Sequence, residues 1–251
     1  MKVIKENSMY LLHIELRGLT ASFRVPHMFK YHRSLPLPPY TSVVGMFGAA
    51  IGKDIATTQE VFKSLGLKVG IAGSYAGGCN DTWRVLTTKN PENDVVERQI
   101  LYKPKYHVVF CGDKAAVSFC EAAFRHPIYP LSLGRPDDLS NAIVHGASEC
   151  EPEDLHVLRN TVVVGVHSVQ IDESLFDIND PTDPGPCTSL YRLPVHFLFV
   201  NGFSYHRTAD DYRDFMFIGN HKIALREPVT GFKIKADKEI KKALKTLQRK
   251  M

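Results

Sequence analysis

Basic and aromatic side chains alternate in the segment from Phe23 to Tyr40, and this combination of groups could bind a nucleic acid. Single-stranded RNA is held by cations that contact its phosphates and by rings on which its bases stack. Both kinds of group occur here, around the Pro-Leu-Pro-Pro sequence that closes the segment. The pattern therefore predicts an RNA-binding loop. Its candidate RNA-contacting residues are Arg24, Lys30, Tyr31, His32, Arg33 and Tyr40.

A second set of candidates lies between Glu97 and Phe110, in the sequence ERQILYKPKYHVVF. If an extended conformation continues through Pro104, one strand face carries cations and the other carries tyrosines. Such a strand can line an RNA groove, whereas the alternative is an ordinary edge strand whose charges point to water. The cations of the shared face are Lys103, Lys105 and His107. Further RNA-binding candidates are Arg98, in the same segment, and Arg135, in the sequence SLGRP.

A helix with unusual glycine spacing is predicted to follow the proline-rich sequence. Thr41 or Ser42 can cap its N-terminus, and the following apolar residues form one stripe. Gly45, Gly48 and Gly52 leave a second face almost without side chains. Because glycine weakens a helix, we expect another backbone to approach closely on that face.

Composition limits the class of protein. With 251 residues and 44% hydrophobic residues, the chain can bury a full core. The formal charge of +4 comes from the tail, since residues 233–251 hold eight basic and two acidic residues and the remainder holds 23 basic and 25 acidic ones. The N-terminus has neither a signal peptide's apolar run nor a membrane span, so we expect a cytoplasmic protein with no membrane contact. Five cysteines without a CxxC pair predict free thiols.

The sequence partly matches three enzyme motifs but lacks essential residues of each. A Walker A loop would need glycine at Phe47 and serine or threonine at Asp54. In a nucleophile elbow the serine stands two residues after the first glycine, but Ser74 directly follows Gly73. Eleven histidines include no HExxH spacing. We therefore expect no nucleotide site, no serine hydrolase site, no metal site and no cofactor.

The predicted elements favour an α+β fold, because strands and helices are interleaved without a regular βαβ alternation. Separate polar loops are predicted for 74–80 and 179–187 from their glycine, proline and aspartate content. A long hairpin is expected to pair 83–88 with 99–110. The other predicted strands cover 10–16, 67–73, 161–166, 195–200 and 215–218, and the other predicted helices cover 114–124 and the basic, amphipathic 236–250.

Four segments, in this order, resemble one family of proteins. They are ASFRVP (21–26), LPPYTSVVGMFGAAIG (37–52), RQILY (98–102) and YPLSLGR (129–135). Together they resemble the fifth CRISPR-associated (Cas) family, most strongly over residues 9–53. About half of the chain is covered by the resemblance.

The resemblance implies a RAMP protein with a ferredoxin-like (RRM-like) domain over 1–145, a β-hairpin thumb near 74–99, and a smaller, variable, β-rich part over 146–251 that ends in the basic helix. It also implies a function in antiviral defence. Members of this family cap the 5′ handle of CRISPR RNA (crRNA) in type I Cascade complexes, where they contact the large subunit and a backbone subunit. The resemblance therefore implies a non-catalytic RNA-binding subunit in which Arg24, Lys30, Arg33 and Tyr40 lie near the RNA.

Two alternatives remain open. A branch of the family in type I-C systems cuts the repeat RNA without a metal, using a tyrosine, a lysine and a histidine. Tyr40, Lys105 and His107 are the counterparts here, although Tyr106 separates the lysine from the histidine. The other alternative is a protein-interaction module whose tail helix, 236–251, docks on an acidic partner.

Overall fold

The computed structural model describes residues 9–28, 31–87, 90–165, 170–171, 188–199, 207–220 and 222–232. In these ranges strands predominate over helices, and the protein is a mixed α/β structure. The helices are α1 (Tyr40–Ile51), α2 (Ile55–Ser64) and α3 (Lys114–Arg125). The strands are β1 (Tyr10–Gly18), β2 (Thr20–Ala21), β3 (Tyr31–His32), β4 (Lys68–Ser74), β5 (Gly77–Thr87), β6 (Asn90–Tyr102), β7 (Lys105–Gly112), β8 (Ser140–Glu149), β9 (Glu153–Leu158), β10 (Thr161–Val164), β11 (Thr188–Phe199), β12 (Arg207–Ile218) and β13 (Ile223–Gly231).

Among the described residues, the largest sheet has seven strands in the order β11-β12-β10-β4-β7-β1-β8. All of its neighbouring strands are antiparallel. Its β4-β7-β1-β8 half is built from the chain order β1, α1, α2, β4, β7, α3, β8, and α3 packs on β1, β7 and β8. Antiparallel strands with helices between some of them agree with the predicted α+β class.

The main hydrophobic core lies between this sheet and the helices. On β1, Leu12, Ile14 and Leu16 are at most 1% exposed and point toward the core, as the predicted period of two requires. From α1, Phe47 is fully buried and packs edge-on against Phe62 of α2, with 5.5 Å between ring centroids. Apolar burial on this scale holds α1, α2 and the sheet in fixed positions.

The predicted strands and helix before residue 75 and the helix at 114–124 are confirmed, with the short strands β2 and β3 and the helix α2 in addition, and with one error. Helix α2 is not among the predicted elements, although Asp54 caps it by accepting a hydrogen bond from the Thr57 amide at 3.0 Å. The turn predicted for 74–80 is wrong, because β4 extends to Ser74 and β5 already begins at Gly77.

The long hairpin exists, but its strands differ from the predicted ones. Strands β5 and β6 pair from Gly77 opposite Tyr102 to Thr87 opposite Asn90. The predicted second strand is broken where Lys103 adopts a positive φ of 47° before Pro104, and β7 then enters the seven-stranded sheet. The prediction that Lys103 shares one strand face with Lys105 and His107 is therefore wrong.

The second half of the chain is richer in strands than predicted. Strands β11 and β12 form a long antiparallel pair that includes residues 195–199 of the strand predicted at 195–200 and the whole strand predicted at 215–218; residue 200 lies outside the described residues. Strands β8, β9 and β13 are not among the predicted elements; β9 and β13 pair with each other beside a second apolar cluster that includes Ile218 and Ile223. The loop predicted at 179–187 and the helix predicted at 236–250 lie outside the described residues.

Candidate nucleic-acid interface

A groove of about 520 Å³ lies where five parts of the chain meet. Its walls come from the segment between β2 and α1, from the first turn of α1, from the β5–β6 hairpin, from the loop that holds Gly134 and Arg135, and from the β11–β12 pair. Four of the predicted RNA-binding residues line it, together with further aromatic and basic side chains. The basic and aromatic lining groups include Arg24, His32, Arg98, Arg135, Trp83, Phe197 and Arg207.

Two arginines flank one indole ring in this groove. The guanidinium carbon of Arg135 is 3.7 Å from the Trp83 ring centroid, and that of Arg98 is 4.6 Å from it. Trp83 is 43% exposed and Arg135 is partly exposed, whereas Arg98 is buried beneath them. Cations held against an aromatic ring are positioned before any ligand arrives, which suits binding of phosphates and bases.

The guanidinium of Arg98 is also held by the carboxylate of Asp81. Its Nη2 donates to Asp81 Oδ2 at 2.7 Å, and the residue is 8% exposed. Within the described part of the chain its Nε is buried without a hydrogen-bond partner. The Asp81 carboxylate and the Trp83 ring therefore hold the Arg98 guanidinium in place at the edge of the groove.

Arg135 is positioned by a tight loop. The Leu133 amide donates to the Asp138 carbonyl at 2.7 Å, and the Asp138 amide donates to the Arg135 carbonyl at 3.1 Å. Gly134 has a φ of +110°, and a Cβ there would lie 2.1 Å from the Ser22 carbonyl oxygen. Only glycine therefore allows this loop to lie against the segment that follows β2.

The predicted loop at 23–40 contributes only part of its side chains to the groove. Arg24 and His32 line it, and His32 pairs with Arg98 in the parallel β3–β6 contact. Tyr31 lies beside the hairpin, where its hydroxyl donates to Asn80 Oδ1 at 3.3 Å. Arg33 is exposed and is not among the lining residues, and Lys30 lies outside the described residues.

On the far wall of the groove lie Phe197 and Arg207, neither of which is among the residues predicted from the sequence. The Arg207 guanidinium carbon lies 4.7 Å from the Phe197 ring centroid. Phe197 is fixed by Gln59 of α2, whose side chain donates to the Phe197 carbonyl at 3.0 Å and accepts from its amide at 2.9 Å. Trp83 was also missed, although it is the single tryptophan of the chain and falls in the predicted hairpin.

The start of α1 differs from the prediction. Pro39 occupies the N-cap position, and no side chain caps the helix by a hydrogen bond, so the predicted caps Thr41 and Ser42 are wrong. Both side chains instead line the groove. Proline at the N-cap fits because the first amides of a helix lack partners within the helix.

The three glycines of α1 have different surroundings. A Cβ at Gly48 would lie 2.5 Å from the Thr58 hydroxyl, so α2 is the element that approaches there, through a side chain. Gly52 ends the helix with φ +68°, and a Cβ would contact Ile128. A Cβ at Gly45 would meet no atom of the described residues within 4 Å. The nearest described atoms at Gly48 and Gly52 belong to side chains, and the approach of another backbone to this face stays a prediction.

Lys103 lies outside the groove at the turn between β6 and β7. Its ammonium is 5.1 Å from the Tyr102 ring centroid, and its amide donates to the Leu19 carbonyl at 2.8 Å. Lys105 lies on β7, where its ammonium is 3.4 Å from a carboxylate oxygen of Glu15. Neither lysine is among the residues that line the groove.

Three imidazoles lie together on the face of the sheet opposite the core. His13 Nε2 and His107 Nδ1 are 3.0 Å apart, and the ring of His145 stacks on that of His13 with 4.4 Å between centroids. Burial lowers the pKa of His107, with a smaller contribution from the Lys105 charge, against the opposing effect of Glu15. The neutral imidazole is the favoured form there.

Glu15 is the acidic centre of this histidine cluster. It is 4% exposed, it accepts a hydrogen bond from Arg17, and His145 Nε2 is 3.7 Å from its carboxylate. Burial raises the pKa of Glu15, but the Arg17 hydrogen bond and the nearby cations outweigh burial and hold the pKa below its usual value. The carboxylate thus neutralises Lys105 and Arg17 internally.

The residues of the alternative nuclease site are not brought together. Tyr40 packs edge-on against Phe62 with 6.1 Å between centroids, and Phe62 packs on Phe110 within the core. Lys105 and His107 project from the opposite face of β7, since side chains alternate along a strand. Burial also raises the pKa of Tyr40, which makes its phenolate harder to form. The sheet lies between the tyrosine and the other two groups.

No cluster of three or more His, Cys, Asp or Glu side chains in the described ranges could hold a metal ion. No helix in those ranges is long and apolar enough to cross a membrane.

Comparison with known proteins identifies relatives. The family model described as CRISPR-associated protein (Cas_Cas5) matches residues 11–199. None of the curated proteins is similar enough in sequence to match. A solved structure titled "CRISPR RNA-guided surveillance complex" is similar over 89% of this chain and 91% of its own chain, with 17% identity and a TM-score of 0.53, and thus shares its fold.

Two further solved structures are similar at lower scores. One is a Type III-B Cmr-beta complex bound to cognate target RNA and AMPPnP, with 11% identity, a TM-score of 0.47 and 86% of each chain covered. The other is a CRISPR protein from Archaeoglobus fulgidus, with 14% identity, a TM-score of 0.37, and 91% of this chain and 100% of that chain covered.

Proposed function

The chain belongs to the family described as CRISPR-associated protein (Cas_Cas5), and on this premise we propose that it binds the 5′ handle of crRNA as a subunit of a type I Cascade surveillance complex. The observation that carries the proposal is the groove in which Arg98 and Arg135 flank Trp83. Cationic groups and an accessible ring in one groove are the means by which proteins bind single-stranded RNA.

In this proposal the β1, α1, β4, β7, α3, β8 unit is the ferredoxin-like RAMP domain predicted for residues 1–145, extended to the end of β8 at Glu149, and the β5–β6 hairpin is its thumb. The part over 146–251 supplies the wall that holds Phe197 and Arg207. The large subunit and a backbone subunit of the complex are its protein partners.

The proposed role is non-catalytic. The separation of Tyr40 from Lys105 and His107 by the sheet supports this over the nuclease alternative. Incubating the purified protein with the labelled repeat RNA of its own CRISPR locus, with and without EDTA, tests both. We expect intact RNA that is bound weakly by this chain alone and tightly once backbone subunits are added. A discrete cut that persists in EDTA would overturn the non-catalytic role.

The groove itself is tested by charge reversal. The groove variant combines Arg24→Glu, at an exposed position, with Arg135→Glu, at a partly exposed one. The control variant combines Lys222→Glu, just before β13, with Arg226→Glu, in β13, and makes the same change of charge away from the groove. We expect the groove variant to bind RNA at least about tenfold more weakly and the slope of log affinity against log salt to fall by about 0.7 for each lost phosphate contact. Equal losses in both variants would mean that the groove is not the RNA site.

The docking alternative concerns the basic tail. Removing residues 236–251 and measuring assembly with the backbone and large subunits tests it directly. Unchanged assembly would exclude a docking function of the tail, and a loss of assembly with unchanged RNA affinity would establish one.

A further inference from the structure

The groove continues into a second compartment, with a volume of about 360 Å³. The two spaces share lining residues, among them Thr41, Gly134, Phe197 and Arg207, so a bound strand in the groove has direct access to the compartment. A space of this size falls in the usual range for small-ligand sites.

The lining of the compartment combines apolar and polar surface in similar amounts. Met46, Ala49 and Ile55 provide apolar contacts, and the Phe197 ring provides an aromatic one. The polar lining residues include Ser132, with the shared Thr41 and Arg207. A nucleobase has the matching chemistry, because its faces are apolar and stack on rings while its edge carries hydrogen-bonding groups.

Gly45 keeps this compartment open. Glycine within a helix costs about 0.5–1 kcal/mol relative to alanine. At Gly48 the close approach of Thr58 accounts for glycine, and at Gly52 the left-handed backbone does. At Gly45 no atom of the described chain would lie within 4 Å of an added Cβ, so packing within the chain does not require glycine there. The absent side chain instead leaves room for a ligand.

The aromatic wall of the compartment is fixed before a ligand binds. Both backbone polar groups of Phe197 are hydrogen-bonded to the Gln59 side chain, at 2.9 and 3.0 Å. Gln59 belongs to α2, which packs on α1, the helix that holds Gly45. A preformed wall lowers the entropy cost of holding a flat ring beside it.

We propose that this compartment binds one unstacked nucleobase of the RNA strand, with Gly45 as the residue that admits it and Phe197 as its stacking partner. The inference rests on the proposed RNA-binding function and extends it from phosphate contacts to a base contact. Arg207, at the boundary of groove and compartment, neutralises the phosphate of the same nucleotide.

A double-mutant cycle between protein and RNA tests the proposal. In the protein, Gly45→Leu fills the compartment without weakening the helix, and Ala122→Leu is the matched control at an exposed site on α3. In the RNA, each nucleotide of the labelled 5′ part of the repeat is replaced in turn by an abasic one. Affinities are measured for every combination, and thermal unfolding verifies that each variant is folded.

We expect one abasic position to weaken binding to the natural protein about tenfold, the size of one lost stacking contact. Gly45→Leu should cause a similar loss with intact RNA and no further loss with that abasic RNA. If Gly45→Leu weakens binding to every abasic RNA by the same factor, or does not weaken binding at all, the compartment does not bind a base, although the protein still binds RNA. RNA binding that is absent, or unaffected by the Arg24 and Arg135 substitutions, would overturn the proposed function and the base pocket together.

Discussion

At the scale of single residues, the same chemical type has different roles according to its neighbours. Arg98 and Arg135 pair with Asp81 and Asp137 beside the exposed Trp83 ring, whereas Arg17 and Lys105 pair with the buried Glu15 on the face of the sheet opposite the core. Of these four cations, only Arg98 and Arg135 line the groove. The number of cations in a segment therefore says less about RNA binding than the place to which the fold brings each one.

The histidine cluster gives a prediction for the pH dependence of stability. Because the pKa of His107 is lowered in the folded protein, the unfolded chain binds more protons below its ordinary value of about 6.5. The contribution of His107 to stability is therefore fully present above about pH 6.5 and is lost as the pH falls below that value. The charged and titratable groups that act on His107 are Glu15, Lys105, His145 and Arg17, and His13 is in contact with its ring.

His107→Gln should reduce the slope of the unfolding free energy against pH by at most about 1.4 kcal/mol per pH unit, which is the value for one bound proton. Urea unfolding between pH 5 and 8 measures it, and His156→Gln, at an exposed position of β9, is the control. A slope in the His107 variant equal to that of the natural protein would show that other groups cause the dependence.

At the scale of elements, α1 shows that equal spacing does not mean equal function. Its glycines repeat at nearly helical intervals, yet one faces α2, one ends the helix and one opens to a cavity. The pattern alone indicates a face without side chains. The partner of each glycine is known only when α2, Ile128 and the compartment are in place.

Substitution by alanine should separate two of these glycines. At Gly48 the new Cβ would be 2.5 Å from the hydroxyl of Thr58, which is fully buried, so we expect a destabilisation of about 1–3 kcal/mol. At Gly45 the same change meets no neighbour and should stabilise the protein by about 0.5–1 kcal/mol. Denaturant midpoints measure both changes, and a shift of the same sign in both variants would contradict this account.

At the scale of the whole molecule, the groove forms only because distant parts of the chain are held together. Gln59 on α2 completes the hydrogen bonds of Phe197 on β11, 138 residues later. The loop at Gly134 is held against the segment after β2 by the Ser22 amide, which donates to the Leu133 carbonyl at 3.0 Å. These two contacts fix opposite walls of the same groove.

Gln59→Ala should loosen the wall that carries Phe197. Because both backbone groups of Phe197 lose their partner, we expect a loss of about 1–3 kcal/mol in stability and faster hydrogen exchange of the Phe197 amide. RNA affinity should fall with it. Exchange measured by mass spectrometry or NMR gives the first result, and Glu60→Ala, at the exposed neighbouring position, is the control. Unchanged exchange at Phe197 would show that Gln59 does not hold β11.

The sequence by itself determined the local features of this protein: the alternating β1, the helices α1 and α3, and the basic candidates Arg24, His32, Arg98 and Arg135. These follow from periodicity and residue type, which depend on neighbours along the chain. Tertiary structure decided which candidates meet. The positive φ of Lys103 and the Glu15 carboxylate separate Lys103 and Lys105 from the groove, whereas folding brings Trp83, Phe197 and Arg207 into it. Contacts between residues far apart in sequence depend on the packing of sheets and helices, and no local pattern records them.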